Sequence, residues 1–518
     1  MNRKTIVTYI LVAAVLILGI AAAVYFLYGK KTAVGSRVPV AESFRILPAV
    51  PSDAAMLLCS EDFGRTASEL SDSTSLLRLL VSDGKKDPFY RYLVQVSSLM
   101  NPGSELRVLH TRQMALSLHY SGSMLPLMAV EMDRADSLQI SLLSSLAADF
   151  GLTSSFVESP EFSVLLVSSS EALTGSSERH LSEGVSILSD KSFADCAAGI
   201  GGKEVLFISH QYSDRLAAQF FSRQLRRSSS SFLRSFADWT AFSIESVRDG
   251  KVEASGFAQS RAGSGHFADF LSSVEPAELS FEEVVPSTAV YALAAGLKDV
   301  QTYIGEYRKS VVTDQSKYKS TQEKLSRREN GIAPENWAQA LQLKEVVKTA
   351  WLSGGKLYEA VMVRSEKNNM EIVTGSRHTK AARASLLNPQ KYSFGGFAAS
   401  LFGDVFSAGK ESSYVVNGDW IVSGNSDAIE DYAARIQQSD CLGARLEEAG
   451  AASVLPLGDC RLAAYFSPVG WESQEYCSKA LCGVADELFA SVDYEPAVLT
   501  FGADGLELKI VKVWNSNQ

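Results

Sequence analysis

The stretch VPSDAAMLLC, residues 50–59, is similar to a second stretch further along the chain, VPSTAVYALA, residues 285–294. In both places a Val-Pro-Ser turn leads into a run of apolar residues, which predicts a buried strand. The two copies lie 235 residues apart. One such match can arise by chance, so its value depends on whether further matches follow in the same order.

Four further pairs of segments do follow in the same order. They are Leu127–Val130 with Ala360–Val363, Leu166–Ser168 with Ile421–Ser423, Val205–Ile208 with Leu462–Phe466, and Asp249-Gly250 with Asp504-Gly505. The offset grows from 233 to 255 residues within this series, as a single insertion would produce. We therefore predict a tandem duplication with halves at residues 45–275 and 276–518. Two unrelated domains that share common strand and turn phrases are the alternative.

Within each half the residue pattern predicts an α+β fold. Polar and apolar residues alternate in Trp239–Glu245 and in Leu506–Val511, which is typical of strands with one solvated face. Apolar residues at helical spacing over 429–436 predict a helix with Ser426 as its N-cap. We expect each half to be a mainly antiparallel sheet with helices packed on it.

The residues before the first half predict a membrane anchor. Ile6–Tyr28 holds 23 residues without a charge, enough for a transmembrane helix. Residues 1–5 would then form a cytoplasmic tail and residues 29–44 a linker. A signal peptide cleaved after Ala23 is the alternative. Basic residues flank the segment on both sides, so the short tail alone favours an extracytoplasmic body over a cytosolic one.

Composition narrows the class of protein. With 46% hydrophobic and 21% charged residues the body is globular, and its length predicts two or more domains. The net charge of −10 disfavours nucleic-acid binding. We find no catalytic, cofactor-binding or metal-binding motif: the histidines are scattered, and Gly199–Lys203 lacks the spacing of a phosphate loop and reads as a flexible turn.

The six cysteines are too sparse for a disulfide scaffold. Cys59 lies in an apolar run and is predicted to be a core residue. One or two disulfides remain open for the last part of the chain, whose cysteines are Cys441, Cys460, Cys477 and Cys482.

A basic segment between Asp299 and Arg328 is predicted to be the longest helix. Its candidate partner-binding residues are Lys317, Lys319, Arg327 and Arg328. A dock for an acidic partner or for lipid headgroups is one interpretation. A solvated helix face is the more ordinary one.

The anchor, the Val-Pro-Ser-x-Ala approach to a strand at residues 50–54 and 285–289, and the two-half layout together resemble uncharacterised single-pass exported proteins of bacteria, a domain-of-unknown-function class. The resemblance implies a bacterial cytoplasmic (inner) membrane location with a periplasmic body, and it carries no site residues. We expect a non-enzymatic binding or scaffold protein of the envelope that works without a cofactor, binds an envelope protein and holds its ligand in a groove between the halves. An envelope enzyme of hydrolase type, with a site assembled from distant residues, is the alternative. A purely structural spacer is a third possibility.

Overall fold

The structure is a computed structural model of the chain. It describes residues 38–71, 87–100, 103–159, 162–220, 233–248, 251–261, 263–329, 331–365, 385–456, 458–467 and 492–514. The predicted tail, the predicted anchor and most of the predicted linker lie outside these residues. None of the helices in the described ranges has both the length and the apolar character needed to cross a membrane.

Seventeen strands form one continuous sheet, and two short strands, β16 and β19, pair with each other. In chain order the strands are β1 (Ala54–Ser60), β2 (Met114–Tyr120), β3 (Met124–Met132), β4 (Thr153–Glu158), β5 (Ser163–Ser168), β6 (Glu204–Ser209), β7 (Trp239–Arg248), β8 (Lys251–Gln259), β9 (Ala289–Gly296), β10 (Leu343–Ser353), β11 (Lys356–Ser365), β12 (Ser385–Lys391), β13 (Ser413–Asn417), β14 (Trp420–Gly424), β15 (Leu462–Phe466), β16 (Val492–Tyr494), β17 (Ala497–Phe501), β18 (Leu506–Val511) and β19 (Val513–Trp514).

The helices of the described residues are mostly short. They are α1 (Val40–Ser43), α2 (Phe63–Ser71), α3 (Pro88–Leu99), α4 (Ser137–Asp149), α5 (Glu171–Glu183), α6 (Lys191–Gly199), α7 (Ser213–Phe220), α8 (Phe267–Ser273), α9 (Val300–Ser310), α10 (Gln315–Arg328), α11 (Pro334–Leu341), α12 (Phe397–Phe402), α13 (Ser426–Ile436) and α14 (Leu442–Glu448). Short 3₁₀ helices lie between them at Leu47–Ala49, Glu105–Thr111, Arg134–Asp136, Ile187–Ser189, His210–Tyr212, Phe281–Glu283, Asp404–Phe406 and Ala452–Val454.

Counted outward from the middle of the sheet, the strands of the two halves follow corresponding orders. All neighbours are antiparallel, and β8 pairs with β18 at the centre, where Gly256 lies opposite Leu506 and Lys251 opposite Val511. Outward from β8 the order is β7, β6, β1, β2, β3, β5 and β4. Outward from β18 it is β17, β15, β9, β10, β11, β14, β13 and β12.

The predicted fold class was therefore wrong. It placed the strands in two sheets, one for each half, whereas backbone hydrogen bonds between β8 and β18 join all seventeen strands into one. The physical reason is that each half would otherwise leave a long edge strand unpaired, and pairing removes both edges. The segments matched in the sequence lie at corresponding places in the strand order, on β1 and β9, β3 and β11, β5 and β14, and β6 and β15. Asp249-Gly250 lies outside the described residues.

The two faces of the sheet are covered differently. On the first face one apolar core runs the whole length of the sheet, under α2, α3, α4, α7, α8, α9, α11 and α12. On the second face there are two separate cores. One lies under α1, α5 and α6 beside the strands of the first half, and the other lies under α13 and α14 beside those of the second half. Among the described residues, no helix covers the middle of the second face between these two cores.

Two local predictions also need correction. The predicted single helix from Asp299 to Arg328 is two helices, because α9 ends at Ser310 and α10 begins afresh after Asp314, whose carboxylate accepts a hydrogen bond from the Lys317 amide at 2.9 Å. The N-cap of α13 is Asn425 rather than Ser426, since the Asn425 side chain accepts from the Ala428 amide at 2.9 Å.

Candidate functional site

A cleft of about 870 Å³ lies over the β8–β18 pair on the second face. We call it the central cleft. Strands β7, β8, β17 and β18 form its floor, and the end of α6 and the following loop form one wall. The other wall is formed by Pro456, residues 458–460 and the β17–β18 turn. Its volume is within the range of ligand pockets in proteins.

A row of polar side chains crosses the floor of the cleft. Ser243 lies opposite Ser255, Ser255 opposite Glu507, and Glu507 opposite Thr500. These residues face the cleft because Ala254 and Leu508, their neighbours along the strands, point into the core of the first face. Four adjacent strands place the row over about 14 Å. A ligand lying across the strands would meet a hydrogen-bonding group at each strand.

The charged groups of the cleft are mostly acidic. Its lining contains the carboxylates of Asp459, Asp504 and Glu507 and one cation, Lys509. Lys509 Nζ lies 3.1 Å from Glu507 Oε2, and the side chains are 10% and 52% exposed. Lys509 is thus held down on the floor while Glu507 remains open to a ligand. Lys298 lies 4.0 Å from Asp459 at the rim.

Glycines let the walls and floor approach closely. A Cβ on Gly199 would lie 2.7 Å from the Phe257 ring, and a Cβ on Gly202 would lie 2.3 Å from Ser243 Oγ. On the floor, a Cβ on Gly256 would lie 1.9 Å from the Ala241 carbonyl oxygen. The Gly199–Lys203 stretch, predicted to be a flexible turn, thus includes residues of a cleft wall whose close contacts require glycine.

The described part of the chain begins at the rim of this cleft. Pro39 lines the cleft and forms a bridge with Gly201, and the Val40 amide donates to the Ile200 carbonyl at 2.8 Å. Val40 and Phe44 are buried in the core under α6. The first described residues therefore lie on the cleft side of the sheet.

The cysteine that lines the cleft has neither the exposure nor the lowered pKa of a reactive thiol. Cys460 lines the cleft but is only 3% exposed, and burial raises the pKa of its thiol to about 12. Cys59 is a fully buried core residue, as predicted. Cys59, Cys196, Cys441 and Cys460 are free thiols. Cys477 and Cys482 lie outside the described residues.

One group outside the cleft has the residue types of a hydrolase triad. His119 Nδ1 lies 2.8 Å from Asp53 Oδ1, and His119 Nε2 lies 2.8 Å from Ser117 Oγ. The carboxylate accepts from Nδ1, and this hydrogen bond holds the pKa of Asp53 below its usual value. A catalytic serine must be accessible to its substrate, but Ser117 and His119 are 1% and 0% exposed. Of the three residues, Asp53 is the one that reaches solvent. A substrate could not reach the hydroxyl.

A second titratable group surrounds the start of α2. Arg65 Nε lies 3.0 Å from Glu69 and its terminal nitrogen 3.5 Å from Glu204. Burial raises the pKa of Glu204 to about 7. Burial, together with the nearby Glu204 carboxylate, raises the pKa of Glu69 to about 9. His110 Nδ1 lies 3.1 Å from Asp62 beside this group. One arginine between two carboxylates favours a shared proton rather than two buried charges. Among the described residues no group of histidine, cysteine, aspartate or glutamate is arranged to hold a metal ion.

The predicted partner-binding residues all lie on α10, far from the central cleft in the fold. The helix packs against α11 and α12 on the first face, and none of its residues is buried. Lys317 and Arg328 fall on one side of the helix, and Lys319 falls on a different side. The structure therefore groups only part of the predicted set.

Comparisons of the chain with protein-family models, with curated proteins and with solved structures gave no match.

The residues of the central cleft were missed by sequence reasoning. They come from distant segments between Pro39 and Lys509, and pairing of β8 with β18 is what brings them together. One signal was present in the sequence: Gly199, Gly201 and Gly202 stand close together, and Gly502 and Gly505 flank a turn. Clustered glycines next to strands often mark close backbone approach.

Proposed function

We propose that this protein is a non-enzymatic, membrane-anchored binding protein of the bacterial envelope, whose extracytoplasmic body holds a ligand in the central cleft. The observation that carries the proposal is the cleft itself, which lies where β8 and β18 join the two halves of the sheet and where none of the described helices covers the second face. Elsewhere on this face, helices pack on the strands and form two buried cores.

The lining of the cleft favours a polar ligand that is neutral or cationic. Three hydroxyls, those of Ser243, Ser255 and Thr500, can each donate and accept a hydrogen bond. Three carboxylates against one lysine leave an excess of negative charge. A basic or hydroxyl-rich segment of an envelope protein has this chemistry.

The position of Pro39 supports presentation of the cleft to the membrane. If the anchor ends at Tyr28, residues 29–38 must connect it to the rim. Ten extended residues span at most about 35 Å. A tether attached at the rim would hold the rim within about 35 Å of the bilayer, which favours the cleft side over the opposite face of the sheet as the side toward the membrane.

The alternative of an envelope hydrolase has weaker support. The Ser117, His119 and Asp53 arrangement buries its hydroxyl, and the described residues that line the central cleft include no histidine. Both features favour binding over acyl-transfer chemistry.

Site-specific photocrosslinking of the full-length protein in its own membrane tests the proposal. A photoreactive residue replaces Ala503, which is exposed on the cleft rim, and in a matched variant it replaces Ser145, which is exposed on α4. We expect a discrete adduct with an envelope protein from position 503 only. A Glu507→Arg change in the same chain should abolish that adduct.

Two results would contradict the proposal. Equal adducts from positions 503 and 145 would mean that the cleft is not the binding site. A body that is released from membranes by washing would mean that the chain is not anchored.

A further inference from the structure

The α10 helix carries a concentrated positive charge on an acidic protein. Its 14 residues include Lys317, Lys319, Lys324, Arg327 and Arg328 against the single acid Glu323, whereas the whole chain has a net charge of −10. No residue of α10 is buried. Tyr318, Gln322 and Leu325 form its packing side, and Gln322 donates to the Ser400 carbonyl at 3.1 Å.

Three of the basic residues form a stripe along the helix. Lys317, Lys324 and Arg328 are seven and four residues apart, which places them within about 40° of one another around the helix axis. The stripe extends for about 16 Å. We call Lys317, Lys324 and Arg328 the α10 stripe. Lys319 lies on the far side of the exposed surface.

The lysines of the stripe are available to a partner. No ion pair within the described residues involves Lys317 or Lys324. Arg328 lies 3.0 Å from Glu329 and also donates to the Gly395 carbonyl, and its side chain is still 49% exposed. Arg327, beside the stripe, is 82% exposed although it pairs with Glu323 at 3.4 Å. Two lysines without an ion pair among the described residues and a half-exposed arginine thus lie along one side of the helix.

The place of α10 in the fold favours a protein partner over lipid headgroups. The helix lies on the first face of the sheet, outside α11 and α12, whereas Pro39 lies on the second face. A sheet and a layer of helices, about 20 Å in thickness, separate the two. Under the tether proposed above, the α10 stripe would be directed away from the bilayer to which the chain is anchored.

We infer that the α10 stripe is a second interaction surface, which binds an acidic polypeptide segment of an envelope protein on the side of the body away from the membrane. Carboxylates spaced along such a segment would pair with the three cations. Because the pairs are exposed, each contributes little and the binding weakens with salt.

The test uses the full-length protein in nanodiscs of neutral phosphatidylcholine and fluorescent poly-L-glutamate as the probe. The stripe variant is Lys317→Glu/Lys324→Glu/Arg328→Glu. Its matched control, with the same change in total charge, is Arg179→Glu/Lys191→Glu/Lys203→Glu, whose residues are exposed on other elements. We expect the stripe variant to bind the probe at least tenfold more weakly than the control.

Each outcome decides the inference separately from the function proposed for the cleft. Equal weakening in the two variants would overturn it, because total charge alone would explain the binding. Loss of probe binding when the nanodiscs contain anionic phosphatidylglycerol would also overturn it, because α10 would then be occupied by lipid of its own bilayer. A Glu507→Arg change in the cleft should leave probe binding within twofold of the unmodified chain, so failure of the cleft proposal would leave this result intact.

Discussion

Replacing Lys348 with methionine should lower the free energy of unfolding by about 3 to 5 kcal/mol. Lys348 on β10 is 0% exposed, and its Nζ lies 3.1 Å from Glu359 Oε2 on β11, whose side chain is 2% exposed. Glu411, 8% exposed, lies in the same buried group and accepts from the Gly396 and Ala408 amides. Burial lowers the pKa of Lys348, and it raises the pKa of Glu359 to about 7 and also that of Glu411.

The magnitude follows from what the substitution leaves behind. Without the Lys348 cation, Glu359 must either stay charged in an apolar core or take up a proton, and both are unfavourable at neutral pH. In the double variant Lys348→Met/Glu359→Met neither group remains, and Glu411 keeps its amide donors. We expect that variant to lie within about 2 kcal/mol of the unmodified protein, since an apolar pair can replace a buried ion pair at little loss. The coupling energy should exceed about 2 kcal/mol.

Urea unfolding of the full-length chain in mild detergent, followed by tryptophan fluorescence, measures these differences. The single variant should also recover stability as the pH falls from 8 to 5, because a carboxyl whose folded pKa is raised is more stable protonated in the folded state. A loss below 1 kcal/mol for Lys348→Met, or a double variant less stable than the single one, would refute the reasoning.

The remaining predictions concern single sites. Burial lowers the pKa of His210 to about 4, so the protein should lose about 3 kcal/mol of stability through this residue as the pH falls from 6.5 to 4, and His210→Asn should flatten the pH profile there. Burial raises the pKa of Glu69 to about 9, so the contribution of this residue to stability is present below pH 4.5 and is lost as the pH rises to 9. Over that window the free energy of unfolding, measured with urea, should fall by up to about 1.4 kcal/mol per pH unit, and Glu69→Gln should remove this slope. Asp314→Ala removes the cap of α10 and should speed hydrogen exchange of the Lys317 amide about fivefold, with little effect on α9. Gly256→Ala would place a Cβ 1.9 Å from a neighbouring backbone oxygen and should destabilise the β8–β18 junction by about 2 kcal/mol or more, measured by the urea midpoint.

Individual elements of the fold were accessible from the sequence. The apolar run at 54–59 is strand β1, alternation in 506–511 is strand β18, and helical spacing over 429–436 falls within α13. Each is a local pattern with a local cause. The break between α9 and α10 was missed, although the β-branched Val311-Val312-Thr313 run and the capping carboxylate of Asp314 are signals of it.

The single sheet and the cleft were not accessible from the sequence. A strand with one apolar face has the same sequence pattern whether its edge is free or joined to another strand, because the joining bonds are made by the backbone. The pairing of Gly256 with Leu506 therefore leaves no distinct signature in either segment. Since the cleft depends on that pairing, its residues could not be grouped beforehand. The same limit applied to Lys348, whose buried acidic partner on the next strand is visible only in the fold.

The central proposal is that the chain is anchored in a membrane and presents its cleft to that membrane. Energy transfer from a fluorescent residue to an acceptor on lipid headgroups tests it most directly, with the donor at Ala503 on the cleft rim in one variant and at Ser320 on α10 in the other. In the full-length protein, reconstituted in bilayers, the account predicts strong transfer from position 503 and much weaker transfer from position 320. Equal transfer from the two positions, or stronger transfer from position 320, would contradict it.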